Sequence, residues 1–196
     1  MITLRRFAGA LGLALSVAAL GAAAHPSPKV VLVKHADYIR QTLAGARQYF
    51  VRTVDIGKQD LAAIRQKSDF TPDDPDVQFY LGQGDGGATV GAVLFQEVDT
   101  PHGPLEVGLT FGPDGALSRA AVTTSTVETK PWVLEAIATG LMDKFSGMKP
   151  GDDPAKALGE VQGKLGGMPQ YMAELIATAI GRGMTLYATL YKGNAS

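Results

Sequence analysis

Cysteine is absent from the 196-residue sequence. Disulfides, thiolate zinc sites, iron–sulfur clusters and covalently attached c-type haem are therefore excluded, because each of them requires cysteine sulfur. Histidine is scarce, and none of His25, His35 and His102 stands at metal-binding spacing from another ligand residue. The sequence also lacks H-E-x-x-H and G-x-S-x-G motifs, so neither a metalloprotease nor a serine hydrolase is indicated.

Long hydrophobic runs are missing too, apart from one at the N-terminus. Arg5 and Arg6 precede an apolar segment from Phe7 to Leu20, and small residues follow up to Ala24. This order is typical of a secretory signal with an A-x-A cleavage site, so we interpret residues 1–24 as a signal peptide. The protein is accordingly predicted to be periplasmic or secreted, with no membrane span in residues 25–196. An uncleaved anchor and the twin-arginine export route stay open as alternatives.

Charge of one sign is not in excess either. The chain has 18 Lys and Arg against 19 Asp and Glu, and removing Arg5 and Arg6 leaves 16 against 19, or a net charge of −3. No basic stripe is present, so neither nucleic acid nor an anionic membrane surface is indicated as a partner. The remaining 172 residues (196 minus 24) are enough for a single domain, residues 25–196, whose core must form without disulfides.

The period of the apolar residues changes twice along the chain. Helical spacing predicts a first helix over about Lys34–Tyr49 and a second in KQDLAAIRQK. From Val77 to Val122 apolar residues alternate in four segments, which predicts an antiparallel meander. Helical spacing returns at Trp132 and again in a last helix over about Pro169–Tyr187. We therefore predict an α+β fold, an antiparallel sheet of about four to six strands flanked by helices.

Two glycine-rich segments are candidates for phosphate-binding loops. Gly82–Gly87 matches G-x-G-x-x-G, but a strand and not a helix is predicted to follow it, which favours a hairpin turn. Gly166 and Gly167, in contrast, precede the last predicted helix. The first N–H groups of a helix have no partner within it, and they can bind a phosphate. The entrance to the last helix is therefore one candidate site.

The second candidate site is the hydroxyl-rich link Thr123–Trp132, TTSTVETKPW, which joins the last strand to a helix. It has five hydroxyl side chains and one carboxylate in ten residues. Such a link can present hydroxyls and free N–H groups to a ligand. The same residues also suit a strand end and a helix cap, with Trp132 in the core, and local chemistry alone favours this structural interpretation.

Together these segments resemble a known family. The stretches LEVGLTFGPDGALSRAAVTTSTVETKPW, DKFSGM and LGGMPQYMAELIATAI follow the order found in the periplasmic FMN-binding domain, and FVRTVDIGKQDLAAIRQK is similar to its upstream segment. This domain occurs in subunits of the sodium-pumping NADH:quinone reductase and of Rnf electron-transport complexes, and in regulators of the nitrous-oxide reductase system. The resemblance covers about residues 51–190. It implies an exported FMN carrier in electron transfer, with a periplasmic or membrane redox complex as partner.

The resemblance also implies site residues. The flavin of this family is commonly bonded through its phosphate to a threonine, and the aligned residue here is Met168. A thioether cannot form that phosphoester, so any FMN would be bound non-covalently. Glu128-Thr129 matches the Glu-Thr pair of the family, although Lys130 displaces the proline that usually follows. The N–H groups of Gly166, Gly167 and Met168 would hold the phosphate, Lys164 or Lys130 would neutralise its charge, and Thr126, Glu128, Thr129 and Trp132 would form the part of the site that faces the ring.

A different class of function stays open, because a fold can persist after its cofactor is lost. One alternative is a cofactor-free accessory module, or a module that binds haem or another apolar ligand in a groove lined by Met168, Met172 and Met184. Methionines at helical spacing more often belong to a core, however. Another alternative is a structural subunit of a redox complex. Whether the protein is an enzyme is left open, and a binding or electron-transfer role is favoured over hydrolysis or metal chemistry.

Overall fold

The computed structural model describes residues 27–68 and 70–191, so the predicted signal peptide lies outside the described residues. Strands β1 to β6 span Lys29–Val31, Gln48–Asp55, Asp76–Gln83, Thr89–Val98, Leu105–Phe111 and Leu117–Thr126. Helices α1 to α6 span His35–Thr42, Lys58–Lys67, Lys130–Ala138, Leu141–Lys144, Ala155–Gly159 and Gly167–Leu186. A π-helical turn, Tyr187–Tyr191, continues α6. Within the described part of the chain, no helix is long and apolar enough to cross a membrane.

The six strands form one antiparallel sheet in the order β1-β6-β5-β4-β3-β2. β3 to β6 form the predicted meander, and β1 and β2 are added at its opposite edges. Helices precede and follow the meander, so the α+β prediction is confirmed, with a strand number at the upper end of the predicted range. The hairpin predicted at Gly82–Gly87 is confirmed as well, because a short 3-10 turn at Asp85–Gly87 connects β3 to β4.

Two helix boundaries differ from the sequence prediction. The predicted helix Lys34–Tyr49 ends at Thr42, because the chain turns over residues 43–45 and Tyr49 instead enters β2. The helix near Trp132 is divided at Gly140, whose φ of 81° separates α3 from α4. In both places a turn containing glycine interrupts a hydrophobic pattern that continues through it.

Helix α6 packs on one face of the sheet and builds the main core with it. Gly183 lies against Leu109 and Leu94, where the absence of a side chain lets the helix approach the central strands closely. At the C-terminal end of the helix, Tyr187 stacks on Phe111 with ring centroids 3.9 Å apart. The C-terminal half of α6 is therefore fixed to the middle of the sheet.

Helix α1 covers the opposite face with a smaller cluster that contains Tyr38, Leu43 and Val93. The Tyr38 hydroxyl lies 2.8 Å from the carbonyl oxygen of Gly108 and 3.1 Å from that of Arg119, so one buried group connects α1 to β5 and β6. Burial raises the pKa of Tyr38 to about 12, which keeps this hydroxyl protonated as a donor.

Strands β3 and β4 pair over only part of their length. Their ladder runs from Tyr80–Val93 to Gln83–Thr89. Asp76–Phe79 pair with β2 alone, and Leu94–Val98 pair with β5 alone, among the described residues. The two strands therefore diverge beyond Tyr80 and Val93, and a cleft opens between them.

Candidate functional site

The hydroxyl-rich link forms a closed turn between β6 and α3. Thr126 and Thr129 are buried, and the hydroxyl of each accepts a hydrogen bond from the backbone N–H of the other, at 3.1 and 3.2 Å. Their hydroxyl oxygens are hydrogen bonded to each other at 2.9 Å. Ser125 beside them is buried, and its hydroxyl has no hydrogen-bond partner in the part of the chain that the structure describes. The two threonine hydroxyls thus have protein partners that hold the turn together.

Glu128 and Trp132 belong to a surface cluster around His102, which comes from the β4–β5 turn. The Glu128 carboxylate lies 2.9 Å from His102 Nδ1, and the Glu128 backbone N–H donates to the Ser27 hydroxyl. Trp132 meets the His102 ring edge-on, with centroids 5.4 Å apart, and also packs against the main core. Lys130 is exposed at the start of α3. No sequence pattern singles out His102 as the residue that organises this cluster.

The second predicted site is the α6 entrance, Lys164–Met168. Its glycines and the N-terminus of the helix are exposed to solvent. Gly166 and Gly167 are exposed at the start of a 20-residue helix, and a Cβ added to either would meet nothing within 4 Å. Gly167 has a φ of 55°, a left-handed conformation that favours glycine. No described side chain caps this helix N-terminus. Lys164 is exposed, whereas Met168 is half-buried against the core.

An apolar groove of about 230 Å³ lies between α5 and the first turns of α6, beside the α6 entrance. Leu158 and Val161 line it from the α5 side, and Leu165 is shared with the α6 entrance. Gln170 and Glu174 line the α6 side and hydrogen-bond to each other at 3.1 Å. A free helix N-terminus and an apolar surface thus adjoin each other. This combination suits a ligand with an anionic group and an apolar body.

The two predicted sites, the hydroxyl-rich link and the α6 entrance, share apolar core contacts but no described side-chain hydrogen bond or ion pair. Within the described ranges, the side-chain hydrogen bonds and ion pairs of Thr126–Thr129 go to Ser27, to His102 and to other residues of the link. None of them reaches the α6 entrance. Trp132 and Met168 pack against the same core cluster. As polar sites, the link and the α6 entrance are therefore separate.

A third polar cluster, centred on Glu106, lies on the α1 face of the sheet, and of its members the sequence indicated only Thr123 and Thr124 of the hydroxyl-rich link. The Glu106 carboxylate accepts hydrogen bonds from Thr123 at 2.6 Å and from Thr124 at 3.2 Å, and it lies 2.7 Å from His35 Nε2. The His35 ring stacks on Phe95 with centroids 3.8 Å apart. The alternation of β5 assigns Glu106 to the polar face of that strand, but nothing in the sequence indicates that α1 brings His35 to it.

This cluster borders the cleft between β3 and β4, which has a volume of about 470 Å³. Glu97 on its wall is paired with Lys29 at 3.0 Å, and the Arg182 guanidinium lies 5.2 Å from the centre of the Phe70 ring. In the described residues, no group of three or more His, Asp and Glu could hold a metal ion. Carboxylates outnumber cations in the lining, which contains the five acids Asp73, Asp74, Asp76, Glu97 and Glu106 and the one arginine Arg182.

The methionines that would line an apolar groove for haem are mostly in the core. Met172 and Met184 are 0% and 2% exposed, which confirms the core interpretation for both. Haem iron requires an axial ligand such as histidine or methionine. His35 and His102 each have a ring nitrogen engaged by a glutamate. The two buried methionines therefore line no open groove, whereas each histidine keeps a second ring nitrogen that could bind a metal.

No family model, curated protein or solved structure matches this chain. The resemblance to the FMN-binding domain therefore stays a prediction from the sequence, and the function is inferred from the residues and their geometry.

Proposed function

We propose that the protein is an exported binding module that holds FMN non-covalently at the α6 entrance and serves periplasmic electron transfer with a redox complex. One observation carries the proposal, the open N-terminus of a 20-residue helix beside an apolar groove. The motif order supports FMN as the ligand, because the Gly166-Gly167 pair aligns with the phosphate site of the family that the sequence resembles.

The α6 entrance suits the phosphate of FMN. The backbone N–H groups of Gly167 and Met168 lie in the first turn, where a helix leaves them without internal partners. The positive end of the helix dipole and the exposed Lys164 add favourable charge. Pro169 contributes no N–H, and Met168 offers no hydroxyl for a phosphoester. Hydrogen bonds and charge alone would therefore hold the phosphate, and binding would be reversible.

The residues that would hold the ring are mostly apolar, with Gln170 and Glu174 on the α6 side of the groove. Leu158, Val161 and Leu165 line the groove beside the α6 entrance, whereas the hydroxyls of Thr126 and Thr129 are already engaged by each other. The groove of about 230 Å³ is smaller than the roughly 300–1,000 Å³ of pockets that enclose a whole small ligand. Part of the flavin would accordingly stay in contact with solvent, where a docked redox partner can reach it. FMN supplies the redox chemistry when bound, and the chain supplies binding and orientation.

A fluorescence titration of the purified exported protein with FMN and with riboflavin tests this function. We expect FMN to bind saturably and at least about tenfold more tightly than riboflavin, because hydrogen bonds to a charged group contribute about 1.5–3 kcal/mol and riboflavin lacks the phosphate. Equal affinities for the two flavins would contradict a phosphate site at the α6 entrance. The absence of binding for both flavins would overturn the proposed function.

A second candidate function is a flavin-free accessory module that binds a cationic small molecule in the cleft between β3 and β4. The divergence of these strands favours it, because the divergence opens about 470 Å³ lined by more carboxylates than cations. Haem suits this lining poorly, since its propionates are anionic. Thermal stabilisation by spermidine without a response to FMN would support this second function. A Soret band in the purified protein would indicate haem instead.

A further inference from the structure

Strand β2 forms one edge of the sheet, and its outer side has no strand partner among the described residues. All 8 of its residues pair with β3 without interruption, from Gln48–Gln83 to Asp55–Asp76. The edge of a regular strand presents a row of backbone N–H and C=O groups directed away from the sheet. Such a row is a template for pairing with another strand.

The edge carries three consecutive side chains that are apolar and exposed. Tyr49, Phe50 and Val51 are 46%, 43% and 59% exposed, and they follow one another in the chain. Successive residues of a strand point to opposite faces, so apolar surface is exposed on both faces of the edge. A continuous exposed apolar patch of this kind indicates an interaction site.

The opposite edge of the sheet is much shorter and carries a lysine, although its Val31 is also exposed, at 60%. β1 has only 3 residues, and Lys29 at its start is paired with Glu97. Short length and lysine are two features by which edge strands avoid pairing with other chains. β2 has neither of them, and no proline, glycine or bulge interrupts it. The β2 edge is therefore the one that is suited to pairing.

We propose that β2 pairs with β2 of a second copy of this chain, in an antiparallel two-fold symmetric dimer centred on Val51. Residues equally distant from Val51 then face each other, so Arg47 of each copy lies opposite Asp55 of the other. Phe50 lies opposite Arg52, a pair that allows a cation–π contact. A register centred on Arg52 would instead place two arginines opposite each other, which is unfavourable. Asp55 at the end of β2 and Arg47, which immediately precedes the strand, are thus complementary in the register centred on Val51.

The proposed pairing joins two sheets into one, with 6 strands from each copy. The Val51 side chains of the two copies meet at the centre, and the most exposed of the three apolar residues is removed from water. Arg47 lies 3.2 Å from Asp85 of its own chain, but both of these side chains are largely exposed. An exposed ion pair contributes little, so Arg47 can exchange Asp85 for Asp55 of the second copy.

Sedimentation velocity of the mature chain over a wide range of concentrations tests the dimer. We expect a monomer–dimer equilibrium for the natural chain. For Val51→Lys we expect the dissociation constant of the dimer to be at least about a hundredfold larger, because two ammonium groups would face each other at the centre of the interface. Val127→Lys is the matched control, since Val127 is 57% exposed but lies outside the sheet edge, and it should leave the equilibrium unchanged.

A charge exchange distinguishes pairing in this register from other association. Asp55→Arg alone should weaken the dimer, and Arg47→Asp combined with Asp55→Arg should restore it, because the same ion pairs then form in the reverse direction. A natural chain that stays monomeric at every concentration would overturn the proposal. A dimer that tolerates Val51→Lys, or one that the double substitution does not restore, would overturn it as well.

Discussion

The two ends of helix α6 use glycine for different reasons. Near the C-terminal end, Gly183 lies against Leu109 and Leu94, and a Cβ at this position would collide with Leu109. At the N-terminal end, a Cβ on Gly166 or Gly167 would meet nothing within 4 Å. Close packing therefore accounts for Gly183. It does not account for Gly166, whose φ of −154° suits any residue, and Gly167 is favoured by its left-handed φ of 55° and not by packing.

This difference separates residues that the fold requires from residues that can serve a ligand. Thr126 and Thr129 resemble Gly183 in this respect, because their contacts are filled by protein atoms. The α6 entrance has exposed backbone groups at a helix N-terminus and a neighbouring apolar groove. Substitutions of Gly183 or of the two threonines should change stability and leave ligand binding intact. Substitutions of Lys164 or Gly166 at the α6 entrance should do the reverse.

Gly183→Ala should have the largest effect on stability. The free energy of unfolding should fall by about 2–3 kcal/mol, because added volume in a well-packed core typically costs about 1–3 kcal/mol and both Leu109 and Leu94 are fully buried there. Urea denaturation measures the change. Gly181→Ala is the control: its Cβ would make only an ordinary contact, 3.6 Å from Pro154, and alanine favours a helix. Equal losses in the two variants would contradict the close approach at Gly183.

Thr129→Val should have an intermediate effect. It leaves the buried backbone N–H of Thr126 without the Thr129 hydroxyl, so the free energy of unfolding should fall by about 1–3 kcal/mol. Ser125→Ala is the matched control, because the Ser125 hydroxyl is buried without a described partner, and its removal should be neutral or slightly stabilising. FMN affinity, measured by fluorescence, should be unchanged in both variants. Loss of FMN binding in a folded Thr129→Val protein would place the hydroxyl-rich link in the ligand site after all.

Lys164→Gln should have the smallest effect. FMN affinity should fall at most about fivefold, since an exposed ion pair between Lys164 and the phosphate contributes up to about 1 kcal/mol and is screened by salt. Lys130→Gln removes another exposed lysine, from the other predicted site, and should leave the affinity unchanged. Titrations at low and at high ionic strength measure both effects. A larger loss for Lys130→Gln would show that the phosphate is bound near the link.

The sheet and its flanking helices could be predicted because alternation and helical spacing are local properties of the sequence. Strand β1 was missed, since its 3 residues are too few to show a period. The predicted first helix is longer than α1 because the helical spacing of apolar residues continues beyond the end of α1. The apolar residues that follow the turn at residues 43–45 continue the helical spacing, but pairing with β3 holds them in β2.

The candidate site could be predicted only in part. A glycine pair before a helix is visible in the sequence, and its exposure is compatible with the predicted role. The engagement of Thr126 by Thr129 depends on how β6 turns into α3, which a count of hydroxyls does not reveal. The contact of His35 with Glu106 joins residues 71 positions apart, through the packing of α1 on the sheet. Such contacts depend on tertiary structure and leave no local pattern.

FMN titration of Gly166→Asp beside Gly166→Asn tests the central claim most directly. Gly166 is the N-cap of α6 with an extended φ of −154°, a position at which both Asp and Asn are favoured, so neither variant should harm the fold. The two side chains have nearly the same size, but only aspartate places a negative charge where the phosphate would bind. We expect FMN affinity to be at least about tenfold lower for Gly166→Asp than for Gly166→Asn, with no such difference for riboflavin. Equal FMN affinities of the two variants would contradict a phosphate site at the α6 entrance.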